Sequence, residues 1–142
     1  MIEKAIAQGL PALLTADANL SAYTIKLYPH VAPQTASYPF ITYASIATVP
    51  DVFMNPSAQT DQKFTESNIE LTVWAETKQS QDLITHSLRT ILHGRTGAFG
   101  NLNLSRCLVT DISTFSESDI SGSDENIYRA SVICNFSYFW EA

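Results

Sequence analysis

Histidine and cysteine are the residues of this chain whose side chains could bind a metal or act as nucleophiles. The sequence has three histidines and two cysteines, namely His30, His86, His93, Cys107 and Cys134. No histidine has a second ligand at the three- or four-residue spacing that places two imidazoles on one helix face around a metal. His86 and His93 are interpreted as partly exposed residues of one helix face. A nucleophilic cysteine needs an adjacent base that the sequence does not show, so both cysteines are interpreted as small apolar strand residues.

Two further segments resemble ligand-binding loops only loosely. Residues 117–125 bring carboxylates together, but without the ligand spacing of a twelve-residue calcium loop, which favours a solvated hairpin tip. Residues 94–97, Gly-Arg-Thr-Gly, follow a predicted helix and lack a lysine, whereas glycine-rich phosphate loops precede a helix. The aromatic residues near the C-terminus are interpreted as a core strand with a packing anchor: Phe136, Tyr138, Phe139 and Trp140. We therefore predict no catalytic, cofactor-binding or metal-binding residue.

Composition restricts the class of protein. A chain of 142 residues, 45% hydrophobic and 15% charged, is in the range of one globular domain, here residues 1–142, and can bury about two thirds of its unfolded surface. The net charge of −6 makes tight binding to DNA or to an anionic membrane unexpected. No apolar run approaches the roughly 20 residues that span a bilayer, and the start Met1-Ile2-Glu3-Lys4 lacks the regions of a signal peptide. We expect a protein that is made and kept in a cytoplasm.

The clearest structural pattern lies between residues 68 and 92, where the hydrophobic period changes once. Ile69, Leu71 and Val73 alternate with polar residues and predict a strand over 64–74. The apolar residues then recur at helical spacing, which predicts a helix over 80–92. Thr77 or Ser80 can cap the start of this helix, and a glycine at 94 follows its end.

Shorter patterns predict the remaining elements. Apolar residues at helical spacing predict an N-terminal helix over 2–14, in which Pro11 introduces a bend or a restart. Alternating and β-branched patterns predict further strands over 25–28, 40–46, 104–112 and 128–138. Residues 49–63 are predicted to form a long exposed loop, and 94–100 a glycine-punctuated connection. Together these elements predict an α+β fold, with an antiparallel sheet of about four to five strands and two α-helices packed on one face.

The last two strands predict a hairpin whose register follows from hydrophobic pairing. The predicted cross-strand pairs are Leu104 with Phe136, Leu108 with Val132, Ile112 with Tyr128 and, on the other face, Asp111 with Arg129. An exposed Asp111–Arg129 pair would contribute only about 0–1 kcal/mol. In this register Cys107 and Cys134 point to opposite faces, so no disulfide is expected between them.

In order and spacing, the chain resembles the small tail-completion, or tail-to-head joining, proteins of long-tailed bacteriophages and prophages. The similarity covers nearly the whole chain except the loop 49–63 and the glycine-punctuated connection. It is carried by Ala12-Leu13-Leu14 with Asp17 and Leu20, Leu27-Tyr28-Pro29, Tyr38-Pro39-Phe40-Ile41-Thr42-Tyr43, Asn68-Ile69-Glu70-Leu71-Thr72-Val73-Trp74-Ala75 with the following helix from Asp82 to Leu92, and Ile127-Tyr128-Arg129-Ala130-Ser131 running to Phe136-Ser137-Tyr138-Phe139-Trp140.

The resemblance implies a tail terminator, a virion structural protein that is not an enzyme and needs no cofactor. Such a protein forms a ring, typically of six subunits, that caps the tail tube and presents a face to the head connector. Its implied partners are copies of itself, the major tail tube protein and a connector or head-closure protein, while DNA only passes through the lumen. It resides in the virion tail or neck, and in the host cytoplasm before assembly, where the isolated chain can remain monomeric. An acidic lumen suits a conduit because carboxylates repel DNA phosphates.

Two alternatives stay open at this point. One is another neck or minor tail component, such as a head-closure protein. The other, from a different class, is a small cytoplasmic ligand-binding domain or enzyme whose aromatic strand lines a pocket.

Overall fold

Two α-helices and six strands form the described part of the chain. The computed structural model describes residues 2–18, 20–23, 25–33, 36–49, 62–100, 102–118 and 126–141. The elements in chain order are α1 (Ile2–Ala16), a 3₁₀ turn (Ser21–Tyr23), β1 (Lys26–Pro29), β2 (Phe40–Val49), β3 (Gln62–Ala75), α2 (Lys78–Leu92), β4 (Gly97–Phe99), β5 (Leu102–Ser118) and β6 (Asn126–Glu141). Neither helix in these ranges has the length and apolar character that crossing a bilayer requires.

The strands form one mixed sheet in the order β1-β2-β3-β6-β5-β4. β1 and β2 are parallel, and every other neighbouring pair is antiparallel. The prediction of about four to five antiparallel strands is therefore wrong in number and in type. The additional strand, β4, has three residues and lies in the predicted glycine connection, where it is too short to show a hydrophobic period. The direction of β1 depends on the path of the connector before β2, which the pattern of a four-residue strand does not encode.

Both helices pack on the same face of the sheet and share one hydrophobic core with it. α2 lies over β3, β6 and β5, whereas α1 contacts β1 and β2 near one edge and β4 at the other edge. A single helix can reach both edges only because the sheet curls around it. The buried helix residues are Ala5, Ile6, Leu10 and Leu14 of α1 and Ile84, Leu88 and Leu92 of α2.

The ends of α2 follow the chemistry predicted for them. Thr77 is the N-cap, and its hydroxyl oxygen accepts a 3.1 Å hydrogen bond from the Ser80 backbone N–H. Gly94 follows the helix with a φ of 82°, in the left-handed region that favours glycine. α1 continues through Pro11 as one helix, without the restart that was one of the two predicted outcomes.

Two glycines allow α1 to pack closely on the turn between β4 and β5. A Cβ built on Gly100 would lie 2.6 Å from the backbone oxygen of Ala5, and one built on Gly9 would lie 2.8 Å from the Gly100 nitrogen. Gly100 also has a φ of 58°. The contact therefore requires glycine at 100 for two independent reasons, its backbone conformation and its lack of a side chain.

The register of the β5–β6 hairpin differs from the prediction. Leu104 pairs with Tyr138, two residues beyond the predicted partner, and Ile112 pairs with Val132, four residues beyond it. Two irregularities in β5, between Leu104 and Arg106 and between Val109 and Asp111, each shift the pairing by one residue. Asp111 consequently pairs with Ile133, and the predicted Asp111–Arg129 partnership is wrong. A strict two-residue period could not reveal these bulges.

Candidate interaction surface

The face of the sheet turned away from the helices, here called the open face, carries a mixture of aromatic and polar side chains. These residues alternate along the strands with the buried core residues. Its central members are Phe40, Thr42, Glu70, Thr72, Trp74, Asp111, Ser113, Arg129, Ser131 and Ile133. Most are half-buried, so this side of the central strands can offer side chains to another molecule.

Aromatic rings from three strands and the connector before β2 meet at one end of the open face. Phe40 lies opposite Trp74 in the sheet, and their stacked ring centroids are 5.9 Å apart. Tyr28 meets Phe40 edge-on at 5.9 Å, and Tyr38 packs on Phe40 at 5.2 Å. On the other side of Trp74, the guanidinium of Arg129 lies 5.7 Å from a ring centroid. Such contacts hold large rings in place while part of each remains accessible.

Trp74 is also oriented by a hydrogen bond. Its indole Nε1–H donates to the hydroxyl oxygen of Thr42 at 3.3 Å. Because an indole has a single donor, this bond determines which edge of the ring faces the sheet.

A sharp turn after β1 brings an apolar side chain to the rim of this cluster. The Val31 N–H donates to the carbonyl of Pro29 at 2.7 Å, and the intervening His30 has a φ of 60°. A two-residue hydrogen bond around a residue of positive φ describes a strained γ-turn. Val31 is 80% exposed, the highest exposure among the large hydrophobic residues described.

These residues enclose the aromatic groove, an open cavity of about 350 Å³. It is lined by His30, Val31, Ala32, Pro33, Ala36, Tyr38, Phe40, Thr42 and Trp74. Its volume is at the lower end of the range of small-molecule sites, and it also suits an apolar anchor side chain of a partner protein. A rigid aromatic wall beside an exposed valine is the kind of surface that protein interfaces use.

The middle of the open face forms a second, polar groove of about 320 Å³. It is lined by Glu70, Thr72, Asp111, Ser113, Arg129, Ser131 and Ile133. The hydroxyl of Ser131 donates to a carboxylate oxygen of Glu70 at 3.0 Å. Asp111 and Arg129 thus border the same groove although they are not cross-strand partners. A molecule that places an apolar group in the aromatic groove could therefore form hydrogen bonds with the polar groove beside it.

The three histidines lie apart in the structure. His30 borders the aromatic groove, and His86 is exposed on α2. His93 is exposed after α2, where its Nδ1 accepts a 3.1 Å hydrogen bond from the Val109 N–H. Within the described ranges no three His, Cys, Asp or Glu side chains are grouped so that they could hold a metal ion.

The two cysteines are free, buried thiols in the core. They lie on the same, helix-covered face, because Cys107 pairs with Phe136 and Cys134 with Val109. The prediction of opposite faces is therefore wrong and shares its cause with the register error. A hydrogen bond to Cys107, followed by burial, raises the pKa of the Cys134 thiol far above its ordinary value. Burial in the core is consistent with the interpretation of both cysteines as apolar residues.

The remaining candidate segments have structural roles where the structure describes them. The Gly94 N–H donates to the Cys107 carbonyl at 2.7 Å, and the Cys107 N–H donates to the Arg95 carbonyl at 3.0 Å, so this segment is bonded to β5. Phe136 and Tyr138 are buried in the core. The side chains of Phe139 and Trp140, and the acidic tip at residues 119–125, lie outside the described parts.

The aromatic groove was not predicted as a site. Tyr38 and Trp74 line the groove, and Tyr28 packs on its Phe40. In the sequence, the two tyrosines belong to the Tyr-Pro pairs at 28–29 and 38–39. A Tyr-Pro pair at each end of the connector between β1 and β2 was the available signal. A residue before proline is restricted to extended conformations, so both ends of the connector have a limited choice of backbone conformation. The stacking of Phe40 on Trp74 joins residues 34 positions apart in the sequence and therefore requires the fold.

Comparison with known proteins adds evidence at the level of the fold. No family model and no curated protein matches this chain. A chain of the virion of a native gene transfer agent particle is similar in structure, with a TM-score of 0.66 over 93% of this chain and 92% of that chain, at 10% sequence identity. The likeness shows the fold. A second solved structure matches with a TM-score of 0.50 at 13% identity over 99% of this chain and 96% of its own.

Proposed function

We propose that this chain is a structural protein of a phage-like virion that ends the tail tube and joins it to the head connector, acting as a ring of copies. One observation carries the proposal, namely the structural likeness to a gene transfer agent virion chain across nearly the full length of both chains. The sequence resemblance to tail-completion proteins rests on residue patterns and leads to the same class of particle.

The surface of the molecule supports a role in protein contacts. The core side chains and the helix caps stabilise one face of the sheet, while the open face presents an aromatic groove next to a polar groove. An apolar anchor site beside hydrogen-bonding side chains is the usual arrangement of a protein interface. The proposed role requires no catalytic residue, no cofactor and no metal.

The proposed partners are other copies of the chain, the major tail tube protein and the connector or head-closure protein. A closed ring with one subunit type requires two different patches on each subunit, which the two ends of a curled sheet can supply. We further propose that DNA only passes through the lumen, because a chain with a net charge of −6 repels phosphates. A ring with a basic lumen would contradict this last point.

Electron microscopy of particles made without this protein tests the proposed role. Tails of abnormal length, or tails and heads that do not join, are the expected result. Filled heads that leak DNA while tails have normal length would instead indicate a head-closure protein. Normal particles would contradict any role in assembly.

A second candidate function has one observation in its favour. The aromatic groove is large enough for a small ligand and is bordered by the hydroxyl of Thr42 and the imidazole of His30. A monomeric protein that binds one small molecule in this groove with micromolar affinity, measured by calorimetry, would favour a ligand-binding domain over a virion protein.

A further inference from the structure

The sheet has two stretches of edge without a neighbouring strand. β1 pairs with β2 only as far as Tyr43, so within the described ranges no strand lies beside residues 44–49 on that side. At the other edge, β4 pairs with β5 only over 102–104, and the segment after α2 bonds to β5 at Cys107 and Val109. No described strand lies beside residues 110–114. We call residues 44–49 the free β2 edge and residues 110–114 the free β5 edge.

The backbone of the free β5 edge directs hydrogen-bonding groups outward. The Val109 N–H bonds to the His93 ring on the side away from β6. The β6 partners of Val109, Ile112 and Thr114 follow one another at a spacing of two residues, so all three turn their backbone groups the same way. The bulge before Asp111 precedes this stretch, and pairing is regular beyond it. Within the described ranges the outer backbone groups of Ile112 and Thr114 have no partner, so one more strand can be added there.

The outermost strands are protected against such pairing, but the two free edges are not. β1, outermost on one side, has four residues and carries Lys26 and Pro29. β4, outermost on the other side, has three residues. Short strands, lysine and proline are the usual protection of a sheet edge. The free β2 edge, Ala-Ser-Ile-Ala-Thr-Val, and the free β5 edge, Thr-Asp-Ile-Ser-Thr, contain neither lysine nor proline.

Each free edge also carries an exposed isoleucine. Ile46 is 54% exposed and Ile112 is 37% exposed. Among the described residues, the only other exposed large hydrophobic residue is Val31, at the rim of the aromatic groove. Two of these three side chains therefore lie where a neighbouring strand would cover them.

The directions of the two edges suit contact between two copies of the chain. β2 is antiparallel to β3, β3 to β6 and β6 to β5, so β2 and β5 run in opposite directions. If copies are related by rotation about an axis along the strands, the β5 of one copy meets the β2 of the next antiparallel. Ser45 and Thr114 each pair with a buried core residue, so both point to the helix-covered side of the sheet. Rotation about that axis keeps this side the same in every copy.

We propose that the free β5 edge of one copy pairs antiparallel with the free β2 edge of a second copy, which covers Ile46 and Ile112. This inference rests on the proposed ring of copies and specifies the contact between its subunits. The two edges differ, so the contact is heterologous, and its repetition around an axis can close a ring.

Charge and coverage favour contact between unlike edges over contact between like edges. β2 contains no charged residue, whereas the free β5 edge contains Asp111. Pairing two β5 edges near Ile112 would bring two Asp111 carboxylates to the same face of adjacent strands, where like charges are destabilising. Pairing two β2 edges has no such cost, but it leaves Ile112 and the outer backbone of β5 uncovered. Only contact between unlike edges covers both isoleucines with a single kind of interface.

Cross-linking of cysteine variants tests this contact in the purified chain. S45C and T114C place exposed thiols on the two edges, while both native cysteines are buried. One variant carries a mass tag, and a short bis-maleimide is added to each variant alone and to their equimolar mixture. The mixture should give mixed dimers, and each variant alone about tenfold fewer dimers, because a heterologous contact does not join two copies of the same edge. The double variant S45C/T114C should give a ladder of oligomers.

Lysine substitutions test the role of the two isoleucines. I46K or I112K, added to the cysteine variants, should lower the yield of mixed dimers about tenfold or more, because lysine on an edge strand resists pairing. A98K is the matched control, since it adds the same charge at an exposed position of β4, an outermost strand away from both free edges. Its yield should equal that of the parent variants. Circular dichroism melting should show every variant folded.

Three results would overturn the proposal. Dimers of S45C alone or of T114C alone in the same yield as the mixture would show that like edges pair. An unchanged yield with both I46K and I112K would show that the contact does not cover the isoleucines. A mixture without mixed dimers at any concentration would show that the two edges do not meet. None of these results concerns the ends of tails in particles, so the proposed function is tested separately by microscopy.

Discussion

The two faces of this sheet differ in the burial and the chemical type of their side chains, even where those side chains are neighbours on one strand. Val132 is buried under the helices, whereas the next residue, Ile133, lies half-buried in the polar groove of the open face. The helix-covered face is continuous, apolar and closely packed, and the open face mixes rings, hydroxyls and charges. Alternate residues of one strand therefore belong either to the packed core or to the open face, and substitutions can test the two groups separately.

The largest loss of stability is expected where the covered face is most crowded. Gly100→Ala places a methyl group 2.6 Å from a backbone oxygen of α1 and forces alanine into a positive φ. We expect a loss of about 3 kcal/mol or more in the free energy of unfolding, measured by urea denaturation.

Gly94→Ala is the matched control for this substitution. Gly94 has a similar positive φ of 82°, but nothing lies within 4 Å of a Cβ built there. The cost should be only the conformational one, about 1 kcal/mol. Equal losses at both positions would show that the packing of α1 contributes little.

Truncation of side chains on the two faces should differ in size. Leu71→Ala removes a fully buried side chain from the covered face and should cost about 2–5 kcal/mol in unfolding free energy. Ile133→Ala, on the open face of the adjacent strand, should cost less than about 1.5 kcal/mol because that side chain is already partly hydrated. Similar losses of unfolding free energy for the two variants, measured by urea denaturation, would contradict the proposed difference between the two faces.

Polar contacts on the open face should have a smaller effect. Thr42→Val removes the acceptor of the Trp74 indole N–H at nearly constant volume and should cost about 0.5–1.5 kcal/mol, measured by thermal unfolding. Thr72→Val is the same change at the cross-strand partner position and is half-buried. A loss as large for Thr72→Val would mean that the indole bond contributes nothing specific.

The smallest effect on stability is expected at the rim of the aromatic groove. Val31→Asp should change the unfolding free energy by no more than about 0.5 kcal/mol, because Val31 is 80% exposed. The same substitution should reduce the fraction of heads joined to tails, counted by electron microscopy, whereas Val31→Leu should preserve that fraction. If heads and tails join normally in the Val31→Asp variant, the aromatic groove is not part of the proposed interface.

The strand and helix between residues 62 and 92 show how far local patterns reach. β3 and α2 were predicted in type and within two residues at every boundary. The reason is that burial, capping and turn chemistry agree there: Thr77 caps the helix, and the alternating residues of β3 face the core. Agreement among independent local signals makes a segment predictable.

The β5–β6 pair shows where the same reasoning fails. Both strands were expected, but their register depends on two bulges in β5. A bulge changes which residues face each other while leaving the composition of each strand unchanged. The burial of Cys107 and Cys134 on one face follows from that shift and was missed for the same reason.

The grooves of the open face depend on long-range placement as well. Tyr28, Tyr38 and Trp74 are unremarkable strand and turn residues in the sequence, and they become one site because β1, β2 and β3 are neighbours in the sheet.

The sequence alone determined the helices, the longer strands and the covered face, because these depend on hydrophobic period, caps and residue type within short windows. Only the tertiary structure decided the number and direction of the strands, the hairpin register, the close contact of Gly9 with the Gly100 turn and the aromatic groove. Those features arise from contacts between residues far apart in the chain, and their energies depend on the geometry that the whole core imposes.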